Sequence, residues 1–160
     1  MRVLFVRHAE AIESSDFEGS DLERPLTGKG RRTMKVIARS LAQRFDQPDR
    51  IICSQAERAR ASAEMLSSAF GGHAVEERSD LNPGARLSSF HRLLAELWKK
   101  EDVLVVLVGH EPDLSTAVSD LVAGGQLHLK LKKAGCADVE MTGPASGRLR
   151  ALLEPALIIG

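Results

Sequence analysis

Six consecutive apolar residues, Val103 to Val108 in "DVLVVLVGHEPDL", run without interruption into Gly109 and His110. A run this short, rich in β-branched side chains and free of polar alternation, predicts a strand covered on both faces, as at the centre of a parallel sheet. Val3 to Val6 forms a second such run and ends in Arg7 and His8. Between them the period changes. Thr27 is placed to cap a helix in which Met34, Ile37, Ala38, Leu41 and Phe45 fall at helical spacing, up to Pro48. "RIIC" (50–53) reads as a strand, and Ser54 is placed to cap the following helix, "QAERARASAEMLSSAF", which Gly71 and Gly72 stop. A short strand near Ala74 to Glu76, the turn "SDLNPGA" and a helix from about Leu87 to Lys99 come next, and Pro112 suits the first turn of a helix reaching Val122.

Strands alternating with helices imply right-handed βαβ units. Residues 135–154, with two extended stretches around "TGPASG", predict a β-hairpin instead. The expectation is an α/β fold of three layers, α/β/α, with a mostly parallel central sheet and the antiparallel C-terminal hairpin at its edge. At 160 residues the chain has the length of one domain, so residues 1–160 are expected to form a single unit. The 22 basic and 22 acidic residues cancel, which provides no global field for nucleic acid or an anionic membrane. The N-terminal apolar run is too short for a signal peptide, and nothing approaches a membrane span, so a cytoplasmic protein is the expectation. Cys53 and Cys136 lack metal-type spacing and read as buried, reduced thiols, with a disulfide as the alternative.

In open α/β sheets ligands bind beyond the carboxyl ends of the strands. That rule gathers Arg7 and His8, the segment from Ser54 to Arg58, and Gly109 and His110. Two arginines offer planar forks of donors matched to phosphate oxygens, and a helix N-terminus adds backbone N–H groups. Nearby arginine charge disfavours protonation of a histidine, leaving a neutral imidazole able to attack phosphorus. Such chemistry is positioning plus electrostatics and calls for no metal or cofactor.

"VRHAEA", "RPLTGKG", "CSQAERARAS" and "VLVVLVGHEPDL", in that order, resemble the motifs of the histidine phosphatase superfamily, the phosphoglycerate mutase-like group. The small size, Asp80 to Pro83 and the C-terminal hairpin resemble its SixA-type phosphohistidine phosphatase branch. The resemblance implies that His8 is the phosphoryl-accepting nucleophile, that Arg7 and Arg58 grip the phosphate, and that His110 completes the pocket. Arg24 is a candidate for the substrate side, with a loop-anchoring salt bridge as the alternative. Asp80, Glu10 and Glu111 are the candidate acids: a structural role is favoured for Asp80, Glu10 is expected to orient the first loop and Glu111 to cap the helix after Pro112. Ala9 stands where the family usually has Gly, Gln55 where it commonly has Pro, and "RARAS" replaces Arg-Ala-x-Gln-Thr. The compact chain predicts an open pocket that admits phosphohistidine on a phosphorelay or phosphotransferase protein. A broad-specificity phosphomonoesterase acting on small phosphorylated molecules is the first alternative, and a noncatalytic phosphate-binding module the second.

Overall fold

The computed structural model describes residues 1–99 and 101–159. Six strands form one sheet: β1 (Arg2–Arg7), β2 (Arg50–Cys53), β3 (Val75–Glu77), β4 (Leu104–Gly109), β5 (Cys136–Gly143) and β6 (Ser146–Leu153). Their order is β3-β2-β4-β1-β5-β6. The first four run parallel, with Arg7 in register with Gly109, and β5 pairs antiparallel with both β1 and β6. The expected three-layer architecture with an edge hairpin is therefore what the chain adopts. All six residues of β4 are buried, as a strand between two helical layers requires.

The helices are α1 (Gly28–Arg44), α2 (Glu57–Ala69), α3 (Leu87–Leu97), α4 (Asp113–Ala123) and a short α5 (Pro155–Ile159). Alternate strand residues feed two cores. Leu4, Val6, Val106 and Val108 pack with α1 and α2, while Val3, Phe5, Val105 and Leu107 pack with α3 and α4. Among the described residues no helix is long and apolar enough to cross a membrane. Cys53 and Cys136 are both buried and free.

Thr27 caps α1 as expected, accepting from the Gly30 N–H at 2.9 Å. Gly30 is required here by space: a Cβ would lie 2.0 Å from the Glu10 carbonyl oxygen, so only glycine lets α1 sit against the chain leaving β1. Ser54 departs from expectation. Helix α2 begins only at Glu57, and its N-cap Ala56 makes no side-chain cap bond. The Ser54 hydroxyl instead accepts from the Ala56 N–H and donates to Asn82 Oδ1, because Asn82 holds residues 54–55 in an extended turn. Pro112 likewise stands at the N-cap of α4 rather than inside its first turn, and α3 stops at Leu97, short of Lys99.

Candidate active site

Three strand ends meet at the carboxyl edge of the sheet, and the backbone there is fixed from both sides. The His8 N–H donates to the Gly109 carbonyl at 3.1 Å, the Arg7 N–H to the Gly135 carbonyl at 3.0 Å, and the His8 carbonyl accepts from Ala134. From α2, the Ser62 hydroxyl donates to the Arg58 carbonyl at 2.8 Å and accepts from the Ala9 N–H at 3.2 Å, which ties the turn bearing Arg58 to the residue after His8. Ser62 thus supplies a hydroxyl where the family pattern has Thr. Gln55, where that pattern has Pro, donates its N–H to Asn82 Oδ1 at 2.9 Å, a bond no proline can make.

The His8 and His110 rings lie with centroids 5.0 Å apart and planes tilted by 56°. Both are buried, and Arg58 is 2% exposed. His8 Nδ1 lies 2.7 Å from the Ala9 carbonyl oxygen. A carbonyl can only accept, so Nδ1 carries the proton and Nε2 the lone pair. Arg7 donates through one terminal nitrogen to the Leu131 carbonyl at 2.9 Å. Arg58 donates to the Asp21 carbonyl at 2.6 Å and to its carboxylate at 2.8 Å. Among the described residues, four buried side-chain atoms have no protein partner: Nε of Arg7, Nε of Arg58 and both ring nitrogens of His110. Leaving buried polar groups unpaired is costly, and a pocket that concentrates N–H donors from Arg7, Arg58 and one nitrogen of His110 suits a multiply accepting oxyanion.

Burial is the first cause of a His8 pKa lowered to about 4; the Ala9 carbonyl opposes it, and the Arg58, Arg7 and Arg24 charges add to it. The arginine field anticipated from sequence is therefore present but secondary. Burial pushes His110 lower still, assisted by His8 and Arg58. Because both rings titrate lower folded than unfolded, the unfolded chain binds more protons as pH falls below the ordinary histidine value of 6.5, and stability falls with it. The expected loss by about pH 4.5 is roughly 2–3 kcal/mol per ring. Urea unfolding at pH 7, 5.5 and 4.5 measures it; a flat profile across that window would contradict the buried, neutral pair.

Arg24 forms the loop-anchoring salt bridge: it donates to Asp21 at 3.1 Å and to the Ile12 carbonyl at 2.6 Å, and its charge acts on both rings. Glu10 accepts from the Thr27 hydroxyl at 2.9 Å and orients the first loop. Glu111 accepts from the Ser115 N–H at 3.0 Å, capping α4, and from the Leu131 N–H at 3.3 Å. Asp80 is 8% exposed and held by Arg92 at 2.8 Å and Arg78 at 3.1 Å. The Arg92 bond is the largest influence on its carboxyl and, with Arg78, outweighs burial to keep it below the ordinary range.

Asp21 is the residue that sequence reading missed. Burial pushes its carboxyl up, but Arg58 and Arg24 outweigh that and hold it low. It sits in a short 3-10 turn, Asp21–Glu23, with Ser20 and Glu23 forming a capping box around it. The available signal was that box, "SDLE", directly before "RPLT". Among the described residues no cluster of three or more His, Cys, Asp or Glu is placed to hold a metal ion. A separate cavity of about 500 Å³, lined by Met1, Trp98 and Arg150 among others, lies at the start of β1, the opposite end of the strand from His8.

The fold and the pocket together define an α/β protein that gathers histidine and arginine side chains at the carboxyl ends of its strands. The chain belongs to the histidine phosphatase superfamily (branch 1), whose family model matches residues 3–83. An uncharacterized protein of Picosynechococcus sp. is 37% identical over 137 residues, which cover 84% of this chain and 82% of that one. The protein histidine phosphatase SixA, solved with tungstate, superposes with a TM-score of 0.89 at 21% identity, covering 99% of both chains. A candidate SixA phosphohistidine phosphatase from Agrobacterium tumefaciens gives 0.78 at 27% identity, over 96% of this chain and 97% of that one. The same fold also serves a candidate alpha-ribazole-5'-P phosphatase from Escherichia coli, at 0.77 and 18% identity over 97% and 98% of the two chains.

Proposed function

We propose that this chain is a phosphatase that removes the phosphoryl group from phosphohistidine on a protein, through a covalent phosphohistidine formed on His8. The observation that carries the reading is the neutral, buried His8 ring, with Nδ1–H held by Ala9 and the Nε2 lone pair left free. Nε2 attacks phosphorus as the P–N bond to the substrate ring breaks. When that ring carries a proton on its other nitrogen it departs as neutral imidazole, so no proton is transferred in this step. Water then attacks phosphorus, the bond to Nε2 breaks, and dihydrogen phosphate leaves with both of the water's protons while His8 returns to its neutral form. Nε of Arg7 and Arg58 and the ring of His110 are the groups available to the equatorial oxygens as charge redistributes.

The choice of an imidazole leaving group rests on the carboxyls. A phosphate ester expels an alkoxide and needs an acid to protonate it. Asp80 and Asp21 are each kept ionised by two arginines, and Glu111 is occupied by two backbone N–H groups. We assign Asp80 a structural role on this ground.

The test compares hydrolysis of a histidine-phosphorylated phosphotransfer protein with that of p-nitrophenyl phosphate and sugar phosphates. The expected result is a higher kcat/KM on phosphohistidine and a trapped intermediate that is acid-labile and base-stable. Faster turnover of the esters would favour the broad-specificity phosphomonoesterase and return attention to Asp80.

A further inference from the structure

The loop between α4 and β5 carries "HLKLKK", residues 128–133. Leu131 is 1% exposed and Leu129 packs against the same core, while Lys130, Lys132 and Lys133 are exposed. The loop is held rigidly, since Leu131 accepts from Arg7 through its carbonyl and donates its N–H to Glu111. The exposed lysines therefore start one residue from the atom that orients a phosphate-gripping arginine. Two grooves, of about 560 and 430 Å³, run along this ridge and share Arg7 and Lys130 in their walls. Among the described residues Lys130 and Lys132 have no ion-pair partner, whereas Lys133 pairs with Glu13 at 3.5 Å.

Glu13 begins an acidic strap. From 13 to 23 the chain carries five carboxylates, at 13, 16, 18, 21 and 23, and no basic residue, and all five are exposed. This strap reaches from the ridge at Lys133 to Arg58, which Asp21 binds. A chain with no net charge thus has exposed lysines beside Arg7 and an acidic strap that Asp21 joins to Arg58 at the pocket mouth. Small anionic substrates gain nothing from such a mouth, because the strap repels what the ridge attracts. An extended partner is oriented by it.

We propose that this two-signed rim docks the protein that bears the phosphohistidine, one presenting carboxylates beside its phosphorylated ring toward Lys130 and Lys132 and a neutral or basic surface toward the strap. The inference rests on the phosphohistidine reading above.

The experiment measures kcat/KM for wild type, K130E/K132E and D16K/E18K on two substrates: a phosphotransfer domain acidic around its phosphorylated histidine, and free phosphohistidine. K130E/K132E is expected to lower kcat/KM on the protein about 10- to 100-fold, chiefly through KM, with free phosphohistidine changed by less than about threefold. D16K/E18K is expected to raise it on the protein, and both effects should shrink as salt rises from about 50 to 300 mM. Equal values for wild type and K130E/K132E on the protein, or a parallel fall on both substrates, would overturn the docking surface while leaving the chemistry intact. Failure of the wild type on both substrates would instead overturn the function reading, and the docking surface with it.

Discussion

Replacing His8 with alanine is expected to abolish turnover of every phosphorylated substrate, with kcat lowered about 10,000-fold or more, because the attacking atom is removed and no neighbouring group can replace it. His110 is the nearest other ring, at 5.0 Å between centroids. Its two nitrogens are both unpaired, so unlike His8 it has no carbonyl that fixes its tautomer and aims a lone pair. Radiolabelled phosphate from a phosphohistidine substrate should appear on the wild-type chain and be absent from His8→Ala. A second readout separates chemistry from folding. Since burial holds the His8 pKa at about 4, its removal deletes one of the two rings that charge more easily when the chain unfolds. The variant should therefore lose less stability than wild type between pH 6.5 and 4.5. Retained labelling in His8→Ala would dismiss it as the nucleophile, and an unchanged pH slope would dismiss its burial as the source of the low pKa.

The parts of this architecture that were legible in the sequence are those governed by local pattern. The unbroken run Val103 to Val108 identifies the buried central strand, and the rule that ligands sit beyond strand ends gathers Arg7, His8, Arg58 and His110. Contacts that depend on how distant segments meet were not legible. Asp21 and Arg58 are 37 positions apart, and the capping box around Asp21 marks a turn there without naming Arg58 as its partner. Ser54 was read as a cap because its surroundings fit one, yet Asn82, 28 positions away, claims its hydroxyl. The cause of the low His8 pKa was misweighted for the same reason. Arginine neighbours can be counted in a sequence, whereas the degree to which a ring is sealed from water follows only from packing.

Exchanging Arg58 for alanine is expected to lower kcat/KM about 1,000-fold, the scale of losing a preorganised donor to the developing charge. The guanidinium is anchored at its terminal nitrogens by Asp21, and its Nε is buried and unpaired, free to donate to a bound oxyanion. Arg58→Lys should fare little better, because an ammonium cannot keep two anchors on Asp21 while presenting a third donor from the middle of a planar fork. The pH profile gives an independent sign. Arg58 is the foremost of the charges that lower the His8 pKa, so its removal should move the acid limb of the residual activity upward, although burial keeps it below the ordinary histidine value of 6.5. Asp21→Asn retains an oxygen to accept from Arg58 and removes only charge, for which a loss of about 5- to 10-fold is expected. If Asp21 acts by aiming Arg58, the double variant should be no slower than Arg58→Ala alone. Losses that multiply in the double-mutant cycle would show Asp21 to act on the substrate or on His110 directly, and the anchoring role would fall.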